Sequence, residues 1–317
     1  MSDQRFGTLP TRIAVAAVAI PLILWVSYSG GYWFFGFVAL VSALSLLEFY
    51  GLAEARGAHP LKALGLFFGV FLNLAFIYER VRNDVYLCFS EHGVRLAMFT
   101  QQQFLLVVVL LMVLVLLLVE LFRNNGSPTL NLGATLLGLV VVSLFFGTLI
   151  GLRELFPYGF PAQRFATTLN PSGPDLQTID QWGGTTIIAV FVSIWICDTA
   201  AYFAGLGFGR HKLFERVSPK KTWEGGIAGF FGAVAAMVAC RALMLPYLTL
   251  GHAVVIGAMI GVFGQLGDLV ESRFKRDAGA KDSSALIPGH GGAYDRFDSV
   301  VFLAPILYLY IDFVVLS

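Results

Sequence analysis

Nine apolar segments recur along this 317-residue chain, and most are long enough to cross a lipid bilayer. A crossing helix needs about 20 predominantly apolar residues to span a hydrocarbon layer roughly 30 Å thick. In the clearest segment, residues 104–119 include no polar side chain. We therefore predict an all-α integral membrane protein with about nine transmembrane helices. The segments are residues 12–29, 31–49, 63–78, 103–122, 131–152, 185–205, 227–245, 248–267 and 300–316.

The composition excludes an ordinary soluble domain. Mean hydropathy is +0.76 and 13% of residues are charged, whereas about a quarter are charged in soluble domains. Taken alone, the short third and ninth segments are also compatible with buried helices of a soluble core, but the whole set is not. The net charge of +1 gives no sign of nucleic-acid binding.

The distribution of lysine and arginine predicts the orientation, because cytoplasmic loops of membrane proteins are enriched in both residues. With a cytoplasmic N-terminus and an outside C-terminus, the inner segments hold fifteen of the 21 basic residues, ten of them in residues 206–226 and 268–299. We interpret the longest outer segments, 79–102 and 153–184, as connectors. Residues 1–184 form an N-terminal transmembrane region of about five helices. Residues 185–317 are predicted to form a C-terminal region of about four helices, with the two basic loops on the cytoplasmic side.

Four acidic residues lie near the predicted inner ends of spans, where ionisable groups are costly and usually have a partner or a function. Glu48 and Glu120 are close enough to the ends to reach the membrane interface, which is the simpler interpretation. Asp198 is followed by several more apolar residues and indicates a functional role. Asp268 opens the second basic loop.

The first basic loop predicts a helix start at Ser218. Serine caps free backbone N–H groups, and a proline such as Pro219 is favourable at the first helical position. That start would direct N–H groups, Lys220, Lys221 and the Thr222 hydroxyl to one place, and helix N-termini bind phosphate. On this loop alone, an ordinary capped helix with topology-setting lysines remains an equal alternative.

The second basic loop collects carboxylates beside cationic groups, the combination that a metal-bound polyphosphate needs. Mg²⁺ uses one or two protein carboxylates together with substrate oxygens. Asp295 and Asp298 share a face if a helix has begun there, and His290 by itself is more typical of a structural residue than of a catalyst. The acidic residues are Asp268, Glu271, Asp277, Asp282, Asp295 and Asp298, and the basic ones are Arg273, Lys275, Arg276, Lys281, His290 and Arg296.

These motifs resemble those of the CDP-diacylglycerol synthases, also called phosphatidate cytidylyltransferases. Residues 272–277, 281–282, 288–292 and 295–298 resemble the C-terminal signature of that family. Residues 218–225, SPKKTWEG, and 198–205 are similar to two further motifs, in the same order. The resemblance covers about residues 190–317, with Ala200 and Ala293 as small departures that concern substrate detail rather than reaction class.

The resemblance implies an integral membrane enzyme that joins CTP to phosphatidic acid and releases pyrophosphate. It also implies that Asp268 and Asp295 bind Mg²⁺ and that Lys220 and Lys221 contact the nucleotide. We expect Asp198 to complete the metal site, where a second cation is also compatible. The expected catalytic residues are Asp268, Asp295, Lys221 and Asp298, with His290 in a positioning role. The expected substrate-binding residues are Ser218, Lys220, Lys221, Thr222, Lys275, Arg276, Lys281 and Arg296.

The expected partners are CTP, phosphatidic acid and the bilayer, with no nucleic acid, and a homodimer is compatible with the sequence. We expect a multi-pass protein of the bacterial inner membrane with its active site facing the cytoplasm. A CTP-dependent lipid or prenol kinase is the main alternative, and a cytidylyltransferase for ether lipids or a transporter also remains open. The D-G-x-x-A-R pattern of CDP-alcohol phosphotransferases is absent from the sequence.

Overall fold

The computed structural model describes residues 9–92, 97–161, 173–287 and 291–317, and most of them are helical. Eight helices in these ranges are long and apolar enough to cross a membrane, and residues Ile13–Ser29 form a shorter apolar helix. The expectation of an all-α, multi-pass membrane protein is therefore confirmed. The helices are α1 (Leu9–Ser29), α2 (Gly31–Glu54), α3 (Lys62–Glu91), α4 (Gln101–Leu121), α5 (Pro128–Gly159), α6 (Gly173–Phe208), α7 (Trp223–Met244), α8 (Leu250–Asp277) and α9 (Tyr294–Val315).

The described parts of the segments interpreted as outer connectors are mostly helical, so these segments are not simple loops. α3 continues to Glu91, α5 continues to Gly159, and α6 already begins at Gly173. A hydropathy count ends a span at its first charged residues, but backbone hydrogen bonding continues through them. The helices are therefore longer than their apolar segments.

Two ion pairs explain how charged residues in the extensions of α3, α5 and α6 are accommodated inside the protein. Arg153 is fully buried, and its Nη1 lies 2.9 Å from Oδ1 of Asp180. Nε of Arg80 lies 2.9 Å from Oε2 of the buried Glu154. A buried charge is tolerated when it is paired and hydrogen-bonded, so these pairs join α3, α5 and α6.

α8 also extends beyond its apolar segment, because residues 268–277 continue the helix instead of opening a loop. A π-helical stretch, Ile260–Gly264, precedes this extension. The extension buries Gly267, Glu271, Ser272 and Lys275 on one face. Since α9 begins at Tyr294, the segment between the two helices is residues 278–293, shorter than the predicted loop 268–299.

The first basic loop folds as a hairpin, and the predicted helix start at Ser218 is wrong. β1 (Lys212–Phe214) pairs antiparallel with β2 (Ser218–Thr222). Thr222 has extended backbone angles, and its Oγ1 accepts a hydrogen bond from the Gly225 N–H at 3.2 Å. Thr222 therefore caps α7, which begins four residues later than Pro219 would have started it.

A single cluster of buried apolar side chains runs through both halves of the chain and includes Leu46, Phe146, Ile194 and Leu303. α6 packs along α7, and α7 packs along α8. This packing brings the C-terminal ends of α2, α6 and α8, the N-terminal end of α9 and the hairpin to one end of the bundle.

Candidate active site

Three carboxylates meet where α8 crosses the beginning of α9. One oxygen from each of Asp268, Glu271 and Asp298 lies within 4.8 Å of the other two. Asp268 and Glu271 are three residues apart, so they share a face of α8. Gly267 permits the close approach of α9, because a Cβ at that position would lie 2.8 Å from the backbone oxygen of Asp298. We call Asp268, Glu271 and Asp298 the acid group.

The acid group fits a divalent cation. Glu271 is 1% exposed, and its Oε1 has no hydrogen-bond partner among the described residues. Buried polar oxygens normally have a partner, and like charges this close disfavour one another's ionised form. A cation bound by all three carboxylates removes both problems, and carboxylate oxygens are the ligands that Mg²⁺ takes.

Asp295, expected to bind the metal, lies next to the acid group but has other partners. Its Oδ1 accepts from Lys275 Nζ at 2.7 Å. Its Oδ2 accepts from Gly292 N at 2.7 Å and from the N and Oγ of Ser283 at 2.9 and 2.8 Å. Both oxygens are therefore already hydrogen-bonded, unlike Oε1 of Glu271, and the structure does not place Asp295 in the acid group.

Lys275, expected to bind substrate, is 8% exposed and lies between two carboxylates. Its Nζ is 2.5 Å from Glu271 Oε2 and 2.7 Å from Asp295 Oδ1. The geometry assigns its charge to these two partners, one in the acid group and one beside it.

The hairpin contributes Lys221 to the acid group. Lys221 Nζ lies 2.7 Å from Asp268 Oδ2. Successive side chains of a strand point to opposite faces, and the neighbouring Lys220 is exposed, while Ser218 and Lys221 are half-buried. Of the four residues expected here, Lys221 contacts the acid group and Thr222 caps α7.

The remaining expected residues lie around this centre. Arg276 donates to the backbone oxygens of Val217 at 3.4 Å and Ala280 at 3.0 Å, so it connects the hairpin to the segment after α8. Lys281 is exposed on that segment, and Arg296 is exposed at the first turn of α9. His290 lies outside the described residues.

An apolar cavity of about 220 Å³ opens beside the acid group, between α1, α6 and α9. Asp198, Arg296 and Asp298 form its polar end. Asp198 also interacts electrostatically with Asp268 and Lys221, so the structure brings this predicted residue to the site. The apolar walls are Val15, Ala16, Ala19, Ile20, Ile23, Phe191, Ile194, Trp195, Ile287, Phe297 and Val300.

Three residues at or near the acid group, Glu271, Ser283 and Glu48, were not assigned roles there from the sequence. Glu271 was recognised only as one of six acidic residues. Nothing in the Ser283–Ser284 pair indicated a role for Ser283 from the sequence. Glu48 and Glu120 were expected to reach the membrane interface, but they are buried, with 8% and 4% exposure. The signal available for Glu48 was a carboxylate in an apolar span, which indicates a partner but does not identify it.

Comparison of the sequence with known proteins identifies the family of this chain. The model of the cytidylyltransferase family matches residues 10–314. A protein of Synechocystis sp. named phosphatidate cytidylyltransferase is 31% identical, with 96% of this chain and 97% of the relative covered.

Two shorter matches have higher identity. A phosphatidate cytidylyltransferase of Bacillus subtilis is 45% identical over 42% of this chain and 50% of its own length. One of Staphylococcus aureus is 43% identical over 38% of this chain and 46% of its own length. The family model covers nearly the whole chain, including the helices that carry the acid group and the cavity. The chain belongs to the cytidylyltransferase family.

Proposed function

We propose that this protein is a metal-dependent phosphatidate cytidylyltransferase, which converts CTP and phosphatidic acid to CDP-diacylglycerol and pyrophosphate. The observation that carries the proposal is the position of the acid group, beside a lysine and at the polar end of an apolar cavity. A nucleotide triphosphate and a lipid phosphate both need cationic neutralisation, and only the lipid also needs an apolar site.

The reaction requires one bond to form and one to break. A phosphate oxygen of phosphatidic acid attacks the α-phosphorus of CTP, and the bond from that phosphorus to the bridging oxygen of the β-phosphate breaks to release pyrophosphate. The second pKa of a phosphate monoester is about 6, so the nucleophile is already ionised at neutral pH. No general base is needed, and the protein's task is to orient two polyanions and stabilise charge.

The residues of the site divide this task. Asp268, Glu271 and Asp298 would hold Mg²⁺, which when bound neutralises phosphate charge and polarises the reacting phosphate. Lys221, beside Asp268, contacts the triphosphate of CTP. Arg296, at the cavity mouth, contacts the lipid phosphate.

Two further residues complete the assignment. Asp198 faces the same space and supports the metal site or a second cation. Asp295 acts through its partners Lys275 and Ser283 and keeps the first turn of α9 in place.

The apolar cavity gives the lipid a defined approach. Its walls come from α1, α6 and α9, and its polar end carries Arg296 and Asp298. An acyl chain can therefore remain among apolar side chains while its phosphate reaches the acid group. This arrangement favours a lipid acceptor over a soluble one.

The topology proposed from the sequence matches this chemistry. Nine membrane crossings with a cytoplasmic N-terminus place the hairpin and residues 278–293 in the cytoplasm, where CTP is available. The protein would then lie in a bacterial inner membrane. Residues 1–184 would serve mainly as a transmembrane scaffold, and residues 185–317 would carry most of the chemistry.

Transfer of label from CTP to lipid tests the proposal. Purified protein is incubated with Mg²⁺, phosphatidic acid and CTP labelled at the α-phosphate, and label is followed into the lipid phase. We expect label in lipid, its loss in Asp298→Asn, and its retention in Asp312→Asn, a control near the other end of α9. Label entering a lipid alcohol only from γ-labelled CTP would instead identify a lipid or prenol kinase.

A further inference from the structure

Glu48 of α2 binds the segment that leads into α9, although the two are about 245 residues apart in sequence. Four donors lie within hydrogen-bonding distance of its carboxylate. Two are the hydroxyls of Ser283, at 2.9 Å, and Ser284, at 2.6 Å, and Glu48 shares the single proton of the Ser283 hydroxyl with Asp295. The other two are the backbone N–H groups of Ala293, at 3.0 Å, and Tyr294, at 2.8 Å. All four donors therefore belong to this segment or to the first residue of α9.

The hydrogen bonds to Ala293 and Tyr294 supply a cap that α9 lacks locally. No side chain of the N-cap residue Ala293 caps this helix, and the two residues before it are glycines. The first N–H groups of a helix need acceptors, and a negative charge near them is stabilising. Glu48 provides both from another helix.

The local packing is built around the Glu48 carboxylate. A Cβ at Gly292 would overlap both the carboxylate of Glu48 and the hydroxyl of Ser283. Next to Glu48, the Phe49 ring packs edge-on against Phe274 of α8 and Tyr294 of α9, with centroids 5.3 and 6.2 Å away. The end of α2 therefore contacts both helices that carry the acid group.

A chain of short contacts continues from Glu48 to the acid group. The Ser283 hydroxyl lies 2.9 Å from Glu48 Oε2 and 2.8 Å from Asp295 Oδ2. Asp295 accepts from Lys275 at 2.7 Å, and Lys275 lies 2.5 Å from Glu271. A change in the charge or position of Glu48 would therefore be transmitted to Glu271, and through α9 to Asp298.

We infer that Glu48 is a positioning residue, which fixes the first turn of α9 and thereby the separation of Asp298 from Asp268 and Glu271. The inference rests on the proposed function and assigns part of the active site to the N-terminal half of the chain. Direct partners of metal ligands commonly change metal affinity or activity by about 10–100-fold when substituted. Glu48 acts through Ser283, Asp295 and Lys275 and through the first turn of α9, so we expect an effect near the lower end of that range.

The test compares Glu48→Gln with Glu120→Gln. Glutamine keeps the shape of the side chain but loses the charge, and its NH₂ group faces donors where the carboxylate accepted. Glu120 is a matched control, because it is also a buried glutamate near a helix end, with Arg123 and Asn131 as partners. In Glu48→Gln we expect kcat to fall, and the Mg²⁺ concentration for half-activation to rise, by about tenfold or more. In Glu120→Gln we expect both to stay within about twofold of the unsubstituted protein.

Hydrogen exchange without Mg²⁺ or substrate gives a readout independent of turnover. Glu48→Gln should lose protection in peptides covering residues 278–298, because local opening there becomes easier. Glu120→Gln should lose protection near residues 121–135 instead. Unchanged exchange at 278–298 in Glu48→Gln would overturn the inference.

Ser283→Ala keeps the inference testable if Glu48→Gln fails to fold. It removes the shared hydroxyl and leaves the cap on α9 intact, so it should also raise the Mg²⁺ requirement.

If Glu48→Gln folds, the double variant with Ser283→Ala gives another test. Independent substitutions multiply their effects, whereas substitutions within one network do not. The double variant Glu48→Gln/Ser283→Ala should therefore lose less activity than the product of the two single losses, and a full product would refute the connection.

The unsubstituted protein, measured in the same lipid-labelling assay, distinguishes failure of the proposed function from failure of the role assigned to Glu48. If it transfers no label, the proposed function fails. If it transfers label and Glu48→Gln has the same kcat and Mg²⁺ requirement, the proposed function stands and the role of Glu48 fails.

Discussion

Replacing Lys275 with methionine removes the cation that lies between Glu271 and Asp295. Methionine has a similar length and an apolar side chain, so it fills the space without restoring the charge. The side chains of Glu271 and Asp295 are 1% and 5% exposed, and water cannot replace the lysine without opening the site. The substitution therefore leaves two buried carboxylates without their counter-ion.

The structure also indicates the size of the effect. Removing one partner of a buried ion pair costs about 3–5 kcal/mol of folding free energy. Asp295 would keep its three donors from Ser283 and Gly292. Among the described residues, Glu271 has no ion pair other than the one with Lys275. We therefore expect a loss near the lower end, about 3 kcal/mol, arising mainly from Glu271.

Equilibrium unfolding in mixed detergent micelles, followed by tryptophan fluorescence without Mg²⁺ or CTP, measures this loss. Lys220→Met is the matched control, because Lys220 is exposed three residues before α7 begins, and its effect should stay within about 0.5 kcal/mol. Adding Glu271→Gln to Lys275→Met should recover more than half of the loss, because it removes the unpaired charge. Unchanged stability of Lys275→Met together with a raised KM for CTP would refute the reasoning and return Lys275 to the nucleotide site.

Three further predictions address the metal, the lipid and the hairpin. Glu271→Gln should lower Mg²⁺-dependent turnover by about 100-fold or more, and wild-type turnover would exclude Glu271 from the metal site. Ala19→Trp fills the cavity and should raise the KM for phosphatidic acid about tenfold at unchanged KM for CTP, whereas Ala17→Trp, on the exposed face of α1, should change neither. Thr222→Ala removes the α7 cap and should cost about 1 kcal/mol in the same unfolding assay. A normal stability combined with lost CTP binding would instead assign the Thr222 hydroxyl to the nucleotide.

The sequence predicted where the long helices lie, but it did not predict all of their boundaries. Apolar length was sufficient to locate every long helix, because burial in lipid depends on the summed hydropathy of a segment. It did not predict that α8 continues through Asp268 to Asp277, since that extension is stabilised by packing one face against α9. The start of α7 was misplaced for a related reason. Ser218 and Thr222 are both good caps, and only the pairing of β2 with β1 decides between them.

The candidate site was also predicted only in part from the sequence. Motifs in the sequence identified Asp268, Asp298 and Lys221, and the structure brings them together. They favoured Asp295 over Glu271, which was only one of the acidic residues of the second basic loop. Their difference lies in the available donors, since Asp295 has four donors within reach, one of them the Ser283 hydroxyl shared with Glu48, and Oε1 of Glu271 has none among the described residues.

The sequence by itself determined the membrane class, the family resemblance and the concentration of basic and acidic residues in two segments of the last third of the chain. These properties depend on local composition and on motifs that are contiguous or nearly so. Only the tertiary structure decided which carboxylates lie close enough together to hold one cation, which lysine is neutralised by neighbours, and that Glu48 caps α9. Hydrogen bonds and ion pairs depend on distances of about 3 Å between atoms, and helix packing sets those distances between residues that the sequence keeps far apart.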